Sequence, residues 1–252
     1  MFAAVLVALA GQAEGRDAVV LGAQLASADG TLVVAHVMAT LAVPLTGGRE
    51  ATARRRELLR DAGEEIYATL GPDPRVRYLP LSGAPFPEAV SALARRGRFD
   101  VVVVGQNMLS SEPGTRQLLA AAACPVAVAP HGHRFVRDFA PARITVSCGP
   151  PGPADGAVLL AAAIAERVGA SMRLIGLGDE VADEWLAHAQ GLAPQAAAIR
   201  VAGRGPAALV AATRADVDLL VLGAADDEVL RQAACPVLVA PMPARDTRPV
   251  AA

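Results

Sequence analysis

Short apolar runs alternate with longer stretches of helical periodicity along the whole chain. The runs include "VLVALAG", "TLVVAHV", "FDVVVVG", "ITVSC" and "VDLLVLG". Continuous apolar runs of this length are typical of strands that are buried on both faces of a parallel sheet. Between them, apolar residues recur every three or four positions, as they do on one face of a helix. The pattern predicts an α/β fold in which strands and helices alternate.

The same order of elements occurs twice. The octapeptide "ACPVAVAP" at residues 123–130 returns as "ACPVLVAP" at residues 234–241, and only Ala127 and Leu238 differ. Ahead of each copy stand a Val/Leu-rich strand ending in glycine and, before it, an Ala-rich helix that opens with Gly and Pro. We count five strands per half. The repeat predicts two Rossmann-like lobes, each a five-stranded, mainly parallel sheet flanked by helices, related by a pseudo-two-fold axis.

The regular pattern stops at "HGHRFVRDFAPAR", which we interpret as a linker. We place a first domain at residues 1–134 and a shorter, degenerate second domain at residues 135–252. The first domain has an insert between its second and third strands, and the Arg/Glu-rich stretch of residues 49–70 predicts a solvent-facing helix there. The linker carries His131 and His133 without further metal ligands nearby, so we predict no metal site and a solvated linker.

The repeated octapeptide has a structural explanation. Proline lacks an N–H and fixes φ, so it ends the preceding helix and starts a strand. We predict edge strands at residues 126–129 and 237–240. An exposed edge of this kind invites pairing, and we expect each copy to cover the edge of the other within the chain. The preceding Cys124 and Cys235 are predicted to be buried, reduced and small enough for the turn.

Composition excludes several classes of function. The chain has 252 residues and a net charge of −2, so it offers no basic surface for nucleic acid. No stretch approaches the roughly 20 apolar residues of a membrane helix, and the apolar start is interpreted as a buried strand because it lacks a basic n-region.

Three cysteines without disulfide or metal spacing indicate a reduced, cytoplasmic compartment. Abundant Ala, Gly, Pro and Arg, with no Lys, are typical of a GC-rich bacterial genome.

These residues resemble the universal stress protein family. The resemblance rests on the opening strand "VLVALAG", the second strand "AHVM", and the strand-Gly, loop, helix and Cys-Pro-Val-x-Val ending, which occurs twice. It covers both halves and implies a tandem member of the family. In that family the last strand pairs with its counterpart from a second domain, which agrees with the docking role expected for the octapeptide; a homodimer is the other arrangement the resemblance implies.

The resemblance also implies a nucleotide site, and the chain departs from it. ATP-binding members have an Asp at the end of the first strand and a Gly-x2-Gly-x9-Gly-Ser/Thr loop that holds the phosphates. The Asp position falls at Ala10 in the first half and at Gly149 in the second. In the first half, Gly105 matches the first glycine, and Gly114-Thr115 opens the next helix after a shortened loop that contains Glu112. With Val37 at the end of the second strand, these are the candidate nucleotide-binding residues: Val37, Gly105, Gly114 and Thr115.

In the second half only Gly223 matches, and Asp226, Asp227 and Glu228 occupy the start of the next helix. Acidic residues there satisfy the helix N–H groups and repel phosphate. We therefore expect no nucleotide in the second half, no obligatory cofactor, and ATP in the first domain at most. No residue is predicted to be catalytic.

The predicted function is that of a non-enzymatic tandem stress protein with a stress-response or interaction role. The alternatives are a nucleotide-binding, slowly ATP-hydrolysing protein that uses only the first domain, or a small-molecule α/β enzyme of related topology.

Overall fold

The computed structural model describes residues 1–10, 15–37, 49–81, 84–111, 114–178 and 180–241. The strands are β1 (Phe2–Ala10), β2 (Ala26–Val37), β3 (Val76–Leu81), β4 (Val101–Gly105), β5 (Val126–Ala129), β6 (Arg143–Cys148), β7 (Ser171–Leu177), β8 (Ala197–Val201), β9 (Leu219–Leu222) and β10 (Val237–Val239). The helices are α1 (Arg16–Leu25), α2 (Arg49–Leu70), α3 (Phe86–Gly97), α4 (Met108–Ser111), α5 (Gly114–Ala121), α6 (Pro153–Val168), α7 (Glu180–Leu192), α8 (Gly205–Thr213) and α9 (Asp227–Gln232).

The strands form one sheet in the order β3-β2-β1-β4-β5-β10-β9-β6-β7-β8. The first five strands run parallel to one another, and so do the last five. The second half repeats the topology of the first in reverse spatial order. This confirms the predicted α/β class with two five-stranded parallel units, while the boundary after residue 134 stays a prediction. The sequence also placed α2 correctly, over Arg49–Leu70.

The sheets of the two halves are joined by the antiparallel pairing of β5 with β10. These are the strands of the repeated octapeptide. Val126 lies opposite Val239, Ala127 opposite Leu238, and Val128 opposite Val237. Ala127 and Leu238 hold the same position in the two copies, so the local two-fold axis passes between them. The one position at which the octapeptides differ is therefore the one that faces its own copy, and a small side chain there meets a large one.

Both faces of the sheet carry an apolar core that continues through both halves. One core contains residues of α1, α2, α6 and α7, together with Ala127 and Leu238. The other contains residues of α3, α4, α5, α8 and α9, together with the valines of β5 and β10. The valine-rich strands follow from this arrangement, because a strand covered on both faces buries every side chain.

A carboxylate ties the central strands together at the amino edge of the sheet in each half. Asp100 precedes β4 and accepts hydrogen bonds from the backbone N–H groups of Ala3 and Ala4, at 2.8 and 2.9 Å. Asp218 precedes β9 and does the same for Ala142 and Arg143, at 3.0 and 2.9 Å. The two aspartates hold equivalent places in the repeat, and each satisfies N–H groups at the start of the neighbouring strand.

The segment that joins the halves packs against α1, which corrects one prediction. His133 is 2% exposed, and its Nε2 lies 2.8 Å from Oε1 of Gln24. The buried carboxylate of Asp17 accepts from the backbone N–H groups of Gly132 and Arg134, at 3.1 and 2.8 Å. The solvated linker predicted from the sequence is wrong at His133, because Asp17 and Gln24 on α1 supply the partners that a buried turn requires.

We expect the pair on the two-fold axis to behave as a coupled unit. Leu238→Ala leaves a void and should lower the free energy of unfolding by about 2–5 kcal/mol. Ala127→Leu overpacks the same place and should cost about 1–3 kcal/mol. The double variant exchanges the two side chains across the axis, so its loss should be clearly smaller than the sum of the single losses. Urea unfolding of the four proteins tests this, and additive losses would show that the two residues do not share one space.

Stability should fall in mild acid because of His133. Burial lowers the pKa of this imidazole below its usual 6.5, and the carboxylate of Asp17 opposes that shift only in part. The unfolded chain therefore binds a proton at a higher pH than the folded one, and stability is lost as the pH falls below about 6.5, by up to about 1.4 kcal/mol per pH unit for one proton. Thermal unfolding between pH 8 and pH 5 should show this slope, and His133→Gln should flatten it. An unchanged slope in the variant would assign the effect to other groups.

Candidate functional site

The carboxyl ends of the strands in each half are the places where this topology can bind a ligand. Because β5 and β10 run antiparallel, these ends lie at opposite edges of the sheet in the two halves. In the first half the chain runs from the central strand β1 to β2 on one side, and it later returns to pair with β1 on the other side at β4. The second half does the same around β6, with β7 on one side and β9 on the other. Ligands of open α/β sheets bind in the crevice that this reversal creates. The candidate sites are therefore the carboxyl ends of β1 and β4 in the first half and of β6 and β9 in the second.

In the first half, the structure places the four predicted residues around this edge. Val37 ends β2 and Gly105 ends β4, and β1 lies between those two strands. Gly114 and Thr115 begin α5 on the way to β5. Their use by a nucleotide stays a prediction. Glu112, which the sequence placed in the same loop, lies outside the described residues.

The start of α5 is closely packed. Thr115 is fully buried, and its hydroxyl donates to the carbonyl oxygen of Met108 at 3.1 Å. A Cβ atom on Gly114 would lie 2.4 Å from Cδ of Pro87, at the start of α3. Gly114 therefore serves a close helix contact, and the Thr115 hydroxyl already has a protein acceptor.

The loop after β4 is hydrogen-bonded to the second half. Nε2 of Gln106 donates to the carbonyl oxygens of Leu230 and Ala233, at 2.7 and 3.3 Å, and Oε1 accepts from the backbone N–H of His131 at 3.0 Å. Arg116 of α5 forms an ion pair with Asp227 of α9 at 2.9 Å. Neither contact was predicted, since residues more than a hundred positions apart leave no local pattern.

The second half contains a cleft of about 260 Å³ at the ends of β6 and β9. Its walls come from the start of α6, the start of α8, the end of β7 and the short turn into α9. Most of the walls are apolar, and the lining residues are Ser147, Cys148, Gly149, Pro150, Pro153, Ala154, Leu177, Gly205, Pro206, Leu209, Leu222, Gly223, Ala224, Asp226 and Val229. The sequence located Gly149, Gly223 and Asp226 at this edge but gave no sign of the prolines as walls.

The close approach of two backbones shapes one wall of the cleft. A Cβ atom on Gly223 would lie 2.3 Å from the carbonyl oxygen of Pro153. The start of α6 therefore lies against the end of β9, and only glycine leaves room for it. Gly149, which follows β6, has open space where its Cβ would be. The two glycines serve different purposes although both lie at strand ends.

Asp226 is the charged residue of the cleft lining. It is the N-cap of α9, and its Oδ1 accepts from the backbone N–H groups of Glu228 and Val229, both at 3.0 Å. The expected self-capping of this helix by an acid is thus present. Burial raises the pKa of the neighbouring Cys148 thiol to about 12, so the thiol stays protonated. The cleft combines apolar walls with one carboxylate, a poor environment for a polyanion.

The other two thiols lie at the helix-to-strand turns of the octapeptides. All three cysteines are free; Cys235 is buried and Cys124 half-buried. Burial raises the pKa of both Cys124 and Cys235 to about 11. A thiol with such a pKa is almost wholly protonated at neutral pH and is a weak nucleophile.

Two further features are absent from the described residues. Those residues contain no group of three or more histidine, cysteine or acidic side chains placed to hold a metal ion. Among the helices described, none is both long and apolar enough to cross a membrane.

Comparison with known proteins identifies the family. The profile of the universal stress protein family matches residues 1–130, which is just over half of the chain. The chain belongs to the universal stress protein family. Residues 131–252 lie outside the matched range, although the structure repeats there the topology of the first half. No curated protein is significantly similar to the chain in sequence.

Solved structures share the whole architecture at low sequence identity. A universal stress protein from Archaeoglobus fulgidus has a TM-score of 0.64 and 14% identity, over 94% of this chain and 96% of that one. A functionally unknown protein from Pseudomonas aeruginosa has a TM-score of 0.55 and 16% identity, over 96% and 93%. The cytoplasmic domain of a prokaryotic cation chloride cotransporter has a TM-score of 0.50 and 11% identity, over 95% of each chain. At these identities the likeness shows the fold.

The two glycines of the cleft should respond differently to one added methyl group. Gly223→Ala places a Cβ against the backbone of Pro153, which cannot move without shifting α6, so we expect a loss of about 1–3 kcal/mol in the free energy of unfolding. Gly149→Ala is the matched control and should stay within about 0.5 kcal/mol of the parent. Urea unfolding measures both. Equal effects would contradict the close approach of α6 to β9.

Proposed function

We propose that the chain is a tandem universal stress protein of the cytoplasm, without enzymatic activity, whose nucleotide sites are eroded and whose role is in stress response or interaction. The observation that carries the proposal is the chemistry at the carboxyl ends of the central strands. Ala10 ends β1, and Gly149 follows β6. Neither offers the carboxylate with which the resembled ATP-binding members contact the nucleotide.

The second half supports the proposal most directly. Its loop after β9 is short, and α9 begins within a few residues of Gly223. Asp226 caps that helix and Asp227 pairs with Arg116. The backbone N–H groups of Glu228 and Val229 already bind the Asp226 carboxylate. A triphosphate would therefore have to displace an anion and would meet like charge.

The first half retains part of the site, which is why weak nucleotide binding there is the alternative. Gly105 ends β4 and Gly114 begins α5, as the resemblance implies. The Thr115 hydroxyl, however, donates to Met108, and Gly114 is covered by Pro87. Nucleotide affinity in this half should therefore be low, because the groups that would hold phosphate are already engaged.

The absence of enzymatic activity in the proposal rests on the cysteine thiols. A nucleophile needs a lowered pKa or a neighbouring base, and burial raises the pKa of Cys148 to about 12. The free state of the three cysteines supports a reduced compartment. In this proposal the β5–β10 pairing is internal, so a dimer of the chain would have to use another surface.

The test adds the carboxylate that the chain lacks at the end of β1. Calorimetric titration of the full chain with Mg·ATP should show no saturation below about 1 mM, which corresponds to no more than about 4 kcal/mol of binding free energy. Ala10→Asp supplies the missing carboxylate to the half that keeps two glycines. A hydrogen bond to a charged group contributes about 1.5–3 kcal/mol, so this variant should bind Mg·ATP at least about tenfold more tightly.

Gly149→Asp is the matched control in the second half. It adds the same carboxylate beside Asp226 and should leave binding undetectable. Tight binding by the parent chain, or equal gains in the two variants, would overturn the proposal of eroded and unequal sites. Folding of each variant is checked by its far-ultraviolet circular dichroism and thermal midpoint.

A further inference from the structure

The cleft of the second half is a formed cavity for which the proposed function gives no use. Six elements, β6, α6, β7, α8, β9 and α9, line an open cleft of about 260 Å³. An apolar cavity of about 150 Å³ can bind benzene, and this one lies just below the usual range for ligand sites. Its volume is enough for one substituted ring.

We propose that this cleft binds a small, mainly apolar molecule that carries a hydrogen-bond donor or a positive charge, with the polar group at Asp226. The inference goes beyond the proposed function, because it concerns a ligand of another class and holds whether or not the first half binds nucleotide.

The walls define the apolar part of the ligand. Leu209 and Val229 line the cleft from α8 and α9, and Leu222 lines it at the end of β9. Pro153 and Pro206 begin α6 and α8 and contribute rigid rings without N–H groups to the lining. A ligand that covers these surfaces gains the hydrophobic free energy of burial, about 25 cal/mol per Å². A flat or branched hydrocarbon body fits such walls.

Asp226 defines the polar part. Its Oδ1 takes both N–H bonds of the α9 cap, and the carboxylate has a second oxygen with which to accept from a ligand. The charged residues of the lining comprise this one acid and no base. An amine or hydroxyl on the ligand can donate to this oxygen, which a carboxylate or phosphate without a proton cannot do. This sign of charge is opposite to that of a phosphate-binding site.

Three probes of one shape and different charge test the proposal. Benzylamine, benzyl alcohol and benzoate are titrated into the isotopically labelled full chain, and the backbone amide signals of Gly149, Gly223 and Val229 are followed by NMR. We expect saturable shifts with benzylamine, shifts about tenfold weaker in affinity with benzyl alcohol, and none with benzoate. Equal affinity for benzylamine and benzoate, or shifts spread over the surface, would overturn the proposal.

Two kinds of variant test the contribution of the Asp226 charge and that of the space in the cleft separately. Asp226→Asn keeps the helix cap, since asparagine caps as well as aspartate, and should reduce benzylamine affinity about tenfold while benzyl alcohol binds as before. Gly149→Phe directs a ring into the open space beside the cleft and should abolish binding of both probes, with Gly149→Ala as its control. Ala224→Phe is a second block in case the first variant does not fold. Binding that survives both blocks would place the ligand elsewhere.

The outcome is distinguishable from that of the nucleotide test. The probes carry no phosphate, and the Ala10→Asp variant changes the other half of the molecule. Benzylamine binding without any effect of Asp226→Asn or of the blocks would overturn this inference and leave the proposed function untouched. Tight ATP binding by the parent chain would overturn the proposed function and leave the cleft proposal standing.

Discussion

The antiparallel pairing of β5 with β10 is the contact on which the rest of the molecule depends. Each half by itself is a parallel sheet that ends in a short apolar edge strand, and such an edge exposes unpaired N–H and C=O groups. The pairing joins the two edges into one ten-stranded sheet and makes each apolar core continuous through both halves. It also fixes the two-fold relation, because Ala127 lies opposite Leu238. A homodimer must place identical residues at such an axis. A single chain is free to differ there, and this chain combines a small side chain with a large one.

The same pairing places loops and helices of the two halves against each other. It brings α4 and α5 of the first half close to α9 of the second, so Gln106 bonds the carbonyl oxygens of Leu230 and Ala233 and Arg116 pairs with Asp227. Residues that stand where the resembled family binds phosphate thus hold the two halves together. An acid that caps α9 or neutralises Arg116 is also an acid that repels phosphate. The short turn after Gly223 opens onto the mainly apolar cleft.

Local patterns in the sequence were sufficient for most of the fold. Valine-rich runs ending in glycine placed β4 and β9, the Arg/Glu-rich stretch placed α2, and Cys-Pro before alternating valines placed β5 and β10. Each of these signals depends on neighbours within a few positions: period, turn residues and the missing N–H of proline. The prediction of a solvated linker was wrong for the same reason. Nothing near His133 in sequence indicates burial, because the groups that bond this turn lie on α1, more than a hundred positions away: Gln24 bonds the imidazole, and Asp17 bonds the backbone N–H groups on either side.

The order of strands and helices, the internal repeat, and the lack of a carboxylate at Ala10 and Gly149 can be read from the amino-acid sequence. These follow from residue identity and short-range periodicity, which the chain carries without folding. Three features emerge only in the folded chain: Thr115 donates to Met108, Gly223 admits the backbone of Pro153, and six separate elements line a cleft beside Asp226. Such features arise from the close packing of segments that are distant in sequence. The volume left between packed elements is set by all of them together, and no local stretch of sequence records it.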